Sequence, residues 1–189
     1  MRALWIALLL AGCRAASGSG PYTPAEQAAR NTVRAQELSS KAADLLDGDP
    51  EAAERLLREA LGADLFFGPA HNNLGVLYLK EGKLYEAAGE FEWARKLMPG
   101  HPDPRMNLAL TLEQAGQVDE AIQTYRTALE VYPGHIATVQ AVARLEVTSG
   151  KRSEELPTWL EEIAMRGDTE TWRNWAERER MRRETRAAP

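Results

Sequence analysis

One 34-residue pattern is written twice in succession between residues 68 and 135, and this repetition constrains the fold more than any other feature of the chain. The first copy reads GPAHNNLGVLYLKEGKLYEAAGEFEWARKLMPGH and the second PDPRMNLALTLEQAGQVDEAIQTYRTALEVYPGH. Laid over each other, Leu74 meets Leu108, Gly75 meets Ala109 and Gly82 meets Gly116. Further on, Ala87 meets Ala121, Phe91 meets Tyr125, Ala94 meets Ala128 and Pro99 meets Pro133. Large, small and helix-stopping positions recur at one spacing, as they do in a unit that stacks on copies of itself.

In each copy the apolar residues recur at helical spacing, first over 74–78 and then at Leu84, Ala87, Phe91 and Ala94, which describes two helices. Gly75, Ala87 and Ala94 are small, so helix backbones can approach where larger side chains would overpack. Gly82 and Gly116 fall between the helices, where glycine ends the first helix at positive φ without strain. Pro99 and Pro133 stop the second helix, because the residue before a proline avoids the α region. This pattern resembles the tetratricopeptide repeat (TPR) family, whose signature is a leucine and a small residue, an aromatic, then alanine, aromatic, alanine and proline. The resemblance implies an all-α solenoid of helical hairpins with about three repeats, closed by C-terminal capping helices.

The period extends beyond the two clear copies. Gly48, Gly82, Gly116 and Gly150 lie 34 residues apart, as do Ala53, Ala87 and Ala121. Residues 24–67 therefore read as a degenerate N-terminal repeat, with Ser40 and Lys41 at the leucine and small-residue positions and Leu65 in place of the terminal proline. Its first helix is expected over residues 24 to about 46, begun by the Thr23-Pro24-Ala25-Glu26 capping box and displaced or rotated in register. Its second helix is expected from Glu51 to about Gly62. Residues 68–101 and 102–135 are the two full repeats. In 136–167 a third repeat is half complete: Val139, Val142 and Ala143 hold the first-helix core positions, but Glu155 and Pro157 interrupt the second half. A new stripe follows at Leu156, Trp159, Leu160, Ile163 and Ala164, the buried face of an amphipathic helix. Residues 168–189 read as a capping helix, with Asp168 at its start, Trp172, Trp175 and Ala176 on one face, and a basic tail.

The N-terminus carries a separate signal. Met1-Arg2 begins positively, residues 3–10 are uninterruptedly apolar, and the run is too short to span a membrane. It ends in Leu10-Ala11-Gly12-Cys13, which resembles the lipobox of bacterial lipoproteins. The resemblance implies a signal peptide over 1–12, cleavage after Gly12 and a lipid on Cys13, with Arg14 rather than aspartate following it and so an outer-membrane destination. Residues 13–23 would form the lipidated start and a small-residue tether. Cys13 is also the only cysteine, so no internal disulfide is available. The expected location is an envelope membrane after export, on the outer membrane or the periplasmic face.

A formal charge of −5 argues against nonspecific nucleic-acid binding. His101 and His135 share one repeat position, but two imidazoles without cysteine or suitably spaced acids make a poor zinc site. No nucleophile elbow, phosphate loop or metalloprotease motif is present, so neither catalysis nor a cofactor is expected. Arg166-Gly167-Asp168 lies where a helix must stop and another start, a local reason for each residue. The tail sets Arg173, Arg178, Arg180, Arg182, Arg183 and Arg186 against Glu177, Glu179 and Glu184. Glu179 and Arg183 form an i, i+4 pair on a solvated helix, the rival reading being contact with an anionic lipid or polymer.

The remaining candidate is the face that the TPR resemblance assigns to partners. By family register its positions are Asn72, Val76, Leu79 and Lys80, then Met106, Leu110, Glu113 and Gln114, then Gln140, Arg144 and Val147. Asn73 and Asn107 match the asparagine of TPR domains that clamp a C-terminal carboxylate, but Val76, Asp103, Ala137 and Ala141 stand where the other clamp partners belong. An apolar strip edged by polar groups suits an amphipathic helix or extended segment, or the protein's own termini. The expected role is a noncatalytic, lipid-anchored scaffold or adaptor for a protein partner. The alternatives are an assembly factor for a pilus, secretion or outer-membrane machine, and a regulatory subunit of a cell-wall enzyme.

Overall fold

The computed structural model describes residues 30–187, which form helices and turns only. The lipobox with Cys13, the small-residue stretch after it and the Thr23 capping box lie outside the described residues. In chain order the helices are α1 (Thr32–Ala43), α2 (Pro50–Ala63), α3 (Gly68–Lys80), α4 (Leu84–Leu97), α5 (Asp103–Gln114), α6 (Val118–Val131), α7 (Ile136–Ser149), α8 (Leu156–Arg166) and α9 (Glu170–Ala187). Helices α1, α3, α5 and α7 each pair with the even-numbered helix that follows, successive pairs stack, and α9 packs against α8.

The glycines and prolines act as their positions predict. Gly82, Gly116 and Gly150 have φ of 73°, 76° and 74°, and they end α3, α5 and α7. After Gly82 the Lys83 N–H reaches back to the Tyr78 carbonyl at 2.9 Å, and Gln117 does the same to Leu112, the Schellman closure of a helix end. Met98 and Tyr132, before Pro99 and Pro133, leave the helical region at φ −123° and −142°. The alanines at Ala87, Ala94, Ala121 and Ala128 are fully buried. Gly75 is small because the Phe91 ring lies over it: a Cβ there would sit 2.7 Å from the ring.

The first repeat departs from the period in a definite way. The backbone is not helical at Arg30 and Asn31, and Asn31 caps α1 by accepting the Arg34 N–H at 3.0 Å. A single helix from residue 24 is thus replaced by one that starts at Thr32. The residues α1 buries are Ala35, Leu38, Ser39 and Ala42, while Ser40 and Lys41 face solvent. Leu38 and Ser39 take the places of Leu74 and Gly75, a register shift of two residues absorbed by the longer turn before α2. The cause is burial: keeping the 34-residue register would drive Lys41 into the core, at a cost no partner offsets.

Three clusters form the core. The first joins α1 to α4, including Leu38, Leu57, Leu74, Leu77 and Phe91. The second joins α5, α6 and α7 through Ala109, Ile122, Tyr125, Val142 and Leu145. The third sets Val139 and Ala143 of α7 against Leu156, Leu160, Ile163 and Ala176. The stripe read from the sequence of α8 is therefore the surface that covers the incomplete repeat. Trp159 sits at its margin, half-buried, with the Arg126 guanidinium 5.6 Å from its ring centre.

Candidate partner-binding face

The first helices of successive pairs lie side by side, α1 on α3 and α3 on α5, and a ladder of side-chain bonds ties them. Asn73 donates to Ser39 Oγ at 3.2 Å, and Asn107 to Asn72 Oδ1 at 3.1 Å. Lys80 pairs with Asp47 at 2.5 Å. Arg144 donates to both oxygens of Glu113 at 2.7 and 2.9 Å, and the Tyr125 hydroxyl adds a third bond at 3.3 Å. Partners in this ladder are 31–35 residues apart, as expected for helices that run in one direction at a 34-residue period.

Burial pushes the Tyr125 hydroxyl well above the usual phenol range, and the Glu113 carboxylate beside it acts in the same direction. Tyr78, in the last turn of α3, is pushed up to about 12, again mainly by burial. Its hydroxyl accepts from Arg58 at 2.7 Å and donates to Glu54 at 3.1 Å. Both phenols stay neutral donors that hold a second helix against a first.

Between these polar bonds run the apolar positions. Val76 and Leu79 are half-buried against the first cluster, and Met106 against the second. Leu110 is half-buried and joins none of the three clusters, and Gln114 is exposed. Leu108, two residues from Leu110, is only 6% exposed and belongs to the core. Of the sequence positions, the asparagines and Glu113 are already engaged between repeats. Sequence reasoning missed Ser39 as the partner of Asn73 and Asp47 as that of Lys80, although a 34-residue step leads to the first and to within one residue of the second.

The two ends of this face differ. Between α1 and α3 it opens into a cleft of ≈ 420 Å³ walled by Gln36, Ser39, Ser40, Ala43 and Asn73. At α7 it is closed by the chain itself, since Gln140 is 3% exposed and donates to Asp168 at 2.8 Å. Asp168 therefore does not cap α9; Thr169 does, accepting the Trp172 N–H at 3.3 Å. Arg166 bonds to the Gly134 carbonyl at 3.0 Å, so Arg166, Gly167 and Asp168 together form a built turn.

His71, a core residue and not a surface ligand, is fully buried with Nδ1 2.7 Å from Glu90 and Nε2 2.9 Å from the Leu65 carbonyl. His135 bonds locally to the Thr138 hydroxyl at 2.7 Å, and His101 is exposed.

Two family models, both described as Tetratricopeptide repeat, match residues 43–95 and 78–145. The chain carries tetratricopeptide repeats. Tetratricopeptide repeat protein 8 of Mus musculus is 25% identical over 99 residues, covering 52% of this chain and 19% of that protein. The chloroplastic Tetratricopeptide repeat domain-containing protein PYG7 of Arabidopsis thaliana is 31% identical over 88 residues, 44% of this chain and 29% of that one. This chain thus spans less than a third of either curated relative. Among solved structures, Pseudomonas aeruginosa pilF superposes with a TM-score of 0.64 at 20% identity, over 72% of this chain and 62% of that chain. MamA superposes at 0.61 with 22% identity, over 68% and 75%. The first TPR of Spaghetti (RPAP3), solved with an HSP90 peptide SRMEEVD, superposes at 0.60 with 16% identity, over 64% and 97%. At such identities the likeness is one of fold: an all-α TPR solenoid.

Proposed function

We propose that this protein is a noncatalytic scaffold that holds a segment of a protein partner along the face of α1, α3 and α5, tethered to a bacterial envelope membrane by lipid on Cys13. The observation that carries the reading is the contrast along one face. At α7 the chain covers the row of first helices itself, with Asp168 on Gln140, yet Val76, Leu79, Met106 and Leu110 of α3 and α5 are left half-buried. An apolar row with polar bonds on both sides accommodates the apolar side of a helix or extended segment. That the RPAP3 repeats were solved with a bound peptide supports the same use of a similar fold. The anchor rests on the lipobox residues and is a separate part of the proposal.

Leu110 and Leu108 separate binding from folding. Leu110→Arg costs the free protein about 0.5 kcal/mol, as for substitutions away from the packed core, and keeps its helical circular dichroism. It also weakens partner capture by about 2 kcal/mol or more, the hot-spot range. Leu108→Arg unfolds the repeat and loses both. The readout is crosslinking in cells from a photoreactive residue at Gln114, alongside the melting temperature of each variant. A Leu110→Arg protein that still captures the parent's partner overturns the assignment of this face.

A further inference from the structure

The C-terminal end of the solenoid holds a cleft that the scaffold reading does not use. Its volume is ≈ 420 Å³, and it lies between the turn after α7 and the C-terminal half of α9. Lys151, Arg152, Arg182 and Arg183 line it, with Glu179 as the only carboxylate and Val147 as the only large apolar contribution. This concentration of positive charge stands on a chain whose net charge is −5.

The cations are not equivalent. Lys151 pairs with Asp119, and Arg182 pairs with Glu179 at 2.7 Å. The sequence spacing pairs Glu179 with Arg183 instead; the structure gives the carboxylate to Arg182 and leaves Arg183 facing the cleft. Among the described residues, neither Arg152 nor Arg183 has a hydrogen-bond acceptor. Two arginines without acceptors on one cleft repel each other, and an anion between them removes the repulsion. The carbonyls at the end of α7 oppose an anion by about half a charge, which is less than these two arginines supply.

The walls are fixed before any ligand arrives. Glu146 is 1% exposed, and one of its oxygens accepts both the Ser153 N–H at 3.2 Å and the Ser153 hydroxyl at 2.7 Å. Its other oxygen accepts from Arg126 at 3.1 Å. The residue directly after Arg152 is therefore pinned to a buried carboxylate. On the other wall Glu179, with 13% of its side chain exposed, holds Arg182.

We propose that this cleft binds the phosphate of an anionic lipid headgroup. Guanidinium forks match phosphate oxygens in pairs. A protein interface needs an apolar centre, which this lining lacks, so a small anion fits better than a polypeptide. A membrane fits better than free phosphate because the charge continues beyond the cleft. Arg180, part-exposed, lies about 60° from Arg183 around α9 and so extends the cationic side of that helix. A flat anionic surface meets these cations together, whereas a single ion meets only the cleft.

The test uses the full chain with Cys13→Ser, so that no lipid is attached, and co-sedimentation with vesicles. Vesicles of phosphatidylglycerol in phosphatidylcholine are compared with phosphatidylcholine alone, which measures binding through the apolar N-terminus. The parent shows additional binding to phosphatidylglycerol, and Arg152→Gln with Arg183→Gln weakens that increment by about tenfold or more. Arg55→Gln with Lys96→Gln, an equal charge change on exposed positions of α2 and α4, leaves it within about twofold. Equal losses in both double variants would mean diffuse attraction and overturn the site. No increment for phosphatidylglycerol, with thermal stabilisation by inorganic phosphate at matched ionic strength, would overturn the membrane source. The partner face on α3 and α5 is untouched by these substitutions, so failure here leaves that reading standing.

Discussion

Asp64 does at one residue what a proline does in the later repeats. Leu65 stands where Pro99 and Pro133 stop α4 and α6, yet α2 ends at the same place. Asp64 leaves the helix at φ −148°, and its side chain, without exposed surface, accepts from Arg30 at 2.9 Å, Thr32 at 2.8 Å and the Phe66 N–H at 3.1 Å. Burial pushes the carboxyl upward, but the bonds from Arg30, Thr32 and Phe66 together outweigh it and hold the group below its ordinary value of 3.8. A carboxyl depressed by folding stabilises the fold fully above its unfolded value, and this is lost as pH falls through the lower folded value. Asp64→Asn should therefore cost about 1.5–3 kcal/mol near neutral pH, the range for hydrogen bonds to a charged group. The difference from the parent should shrink in acid. Denaturation midpoints from about pH 6 down to about 2 measure it, and a constant difference across that range would show that ionisation is not its source.

At the scale of elements, α8 was legible as a stripe but not in its weighting. Leu156, Trp159, Leu160, Ile163 and Ala164 recur at helical spacing, and the structure buries Leu156, Leu160 and Ile163 completely. Trp159, the largest of the set, is left at the edge under Arg126. Leu160→Ala should cost about 2–5 kcal/mol, for lost transfer and a cavity. Trp159→Ala should cost less than the roughly 3–5 kcal/mol of a fully buried ring. Midpoints in urea compare the two. A larger loss for Trp159→Ala would place the docking surface on the tryptophan edge. In α1 the period misled for a related reason: it assigns equivalent positions, but burial selects whichever apolar residues are present, and Leu38 with Ser39 outcompete Ser40 with Lys41.

At the scale of the whole molecule, the row of first helices does not stop at α7. Asp168, just before α9, meets Gln140 near the start of α7, and Arg182 and Arg183 share a cleft with Val147 near its end. So α9 runs beside α7 in the same direction, in the place of a further first helix. Repeats of this kind touch only their neighbours, and a terminal element with a polar outer side keeps the stack soluble. No helix among the described residues is long and apolar enough to cross a membrane, and the anchor we propose rests on Cys13. One acyl chain binds only marginally, and each buried methylene adds about 0.8 kcal/mol, so firm attachment needs several chains. Cys13→Ser should abolish labelling by a fatty-acid analogue and release processed protein from the membrane fraction. Labelling that persists in the serine variant would overturn the anchor.

The sequence by itself determined the class of fold, the pairing of helices, and where most of them end. These depend on contacts within one repeat: a glycine at positive φ in Gly82 and Gly116, an extended residue before Pro99 and Pro133, and small residues under Phe91 and Tyr125. The candidate face was legible as a list of positions, because a 34-residue period carries Asn72 to Met106 and Val76 to Leu110. Only the tertiary structure decided which of those positions are occupied by the chain itself. It joined Asn107 to Asn72 and Arg144 to Glu113, and it covered Gln140 with Asp168. It also gave Glu179 to Arg182, which set Arg183 beside Arg152 on one cleft. Each of these outcomes depends on side chains brought together from different helices. Local periodicity states which way a residue faces on its own helix, whereas the position of the neighbouring helix decides what it meets.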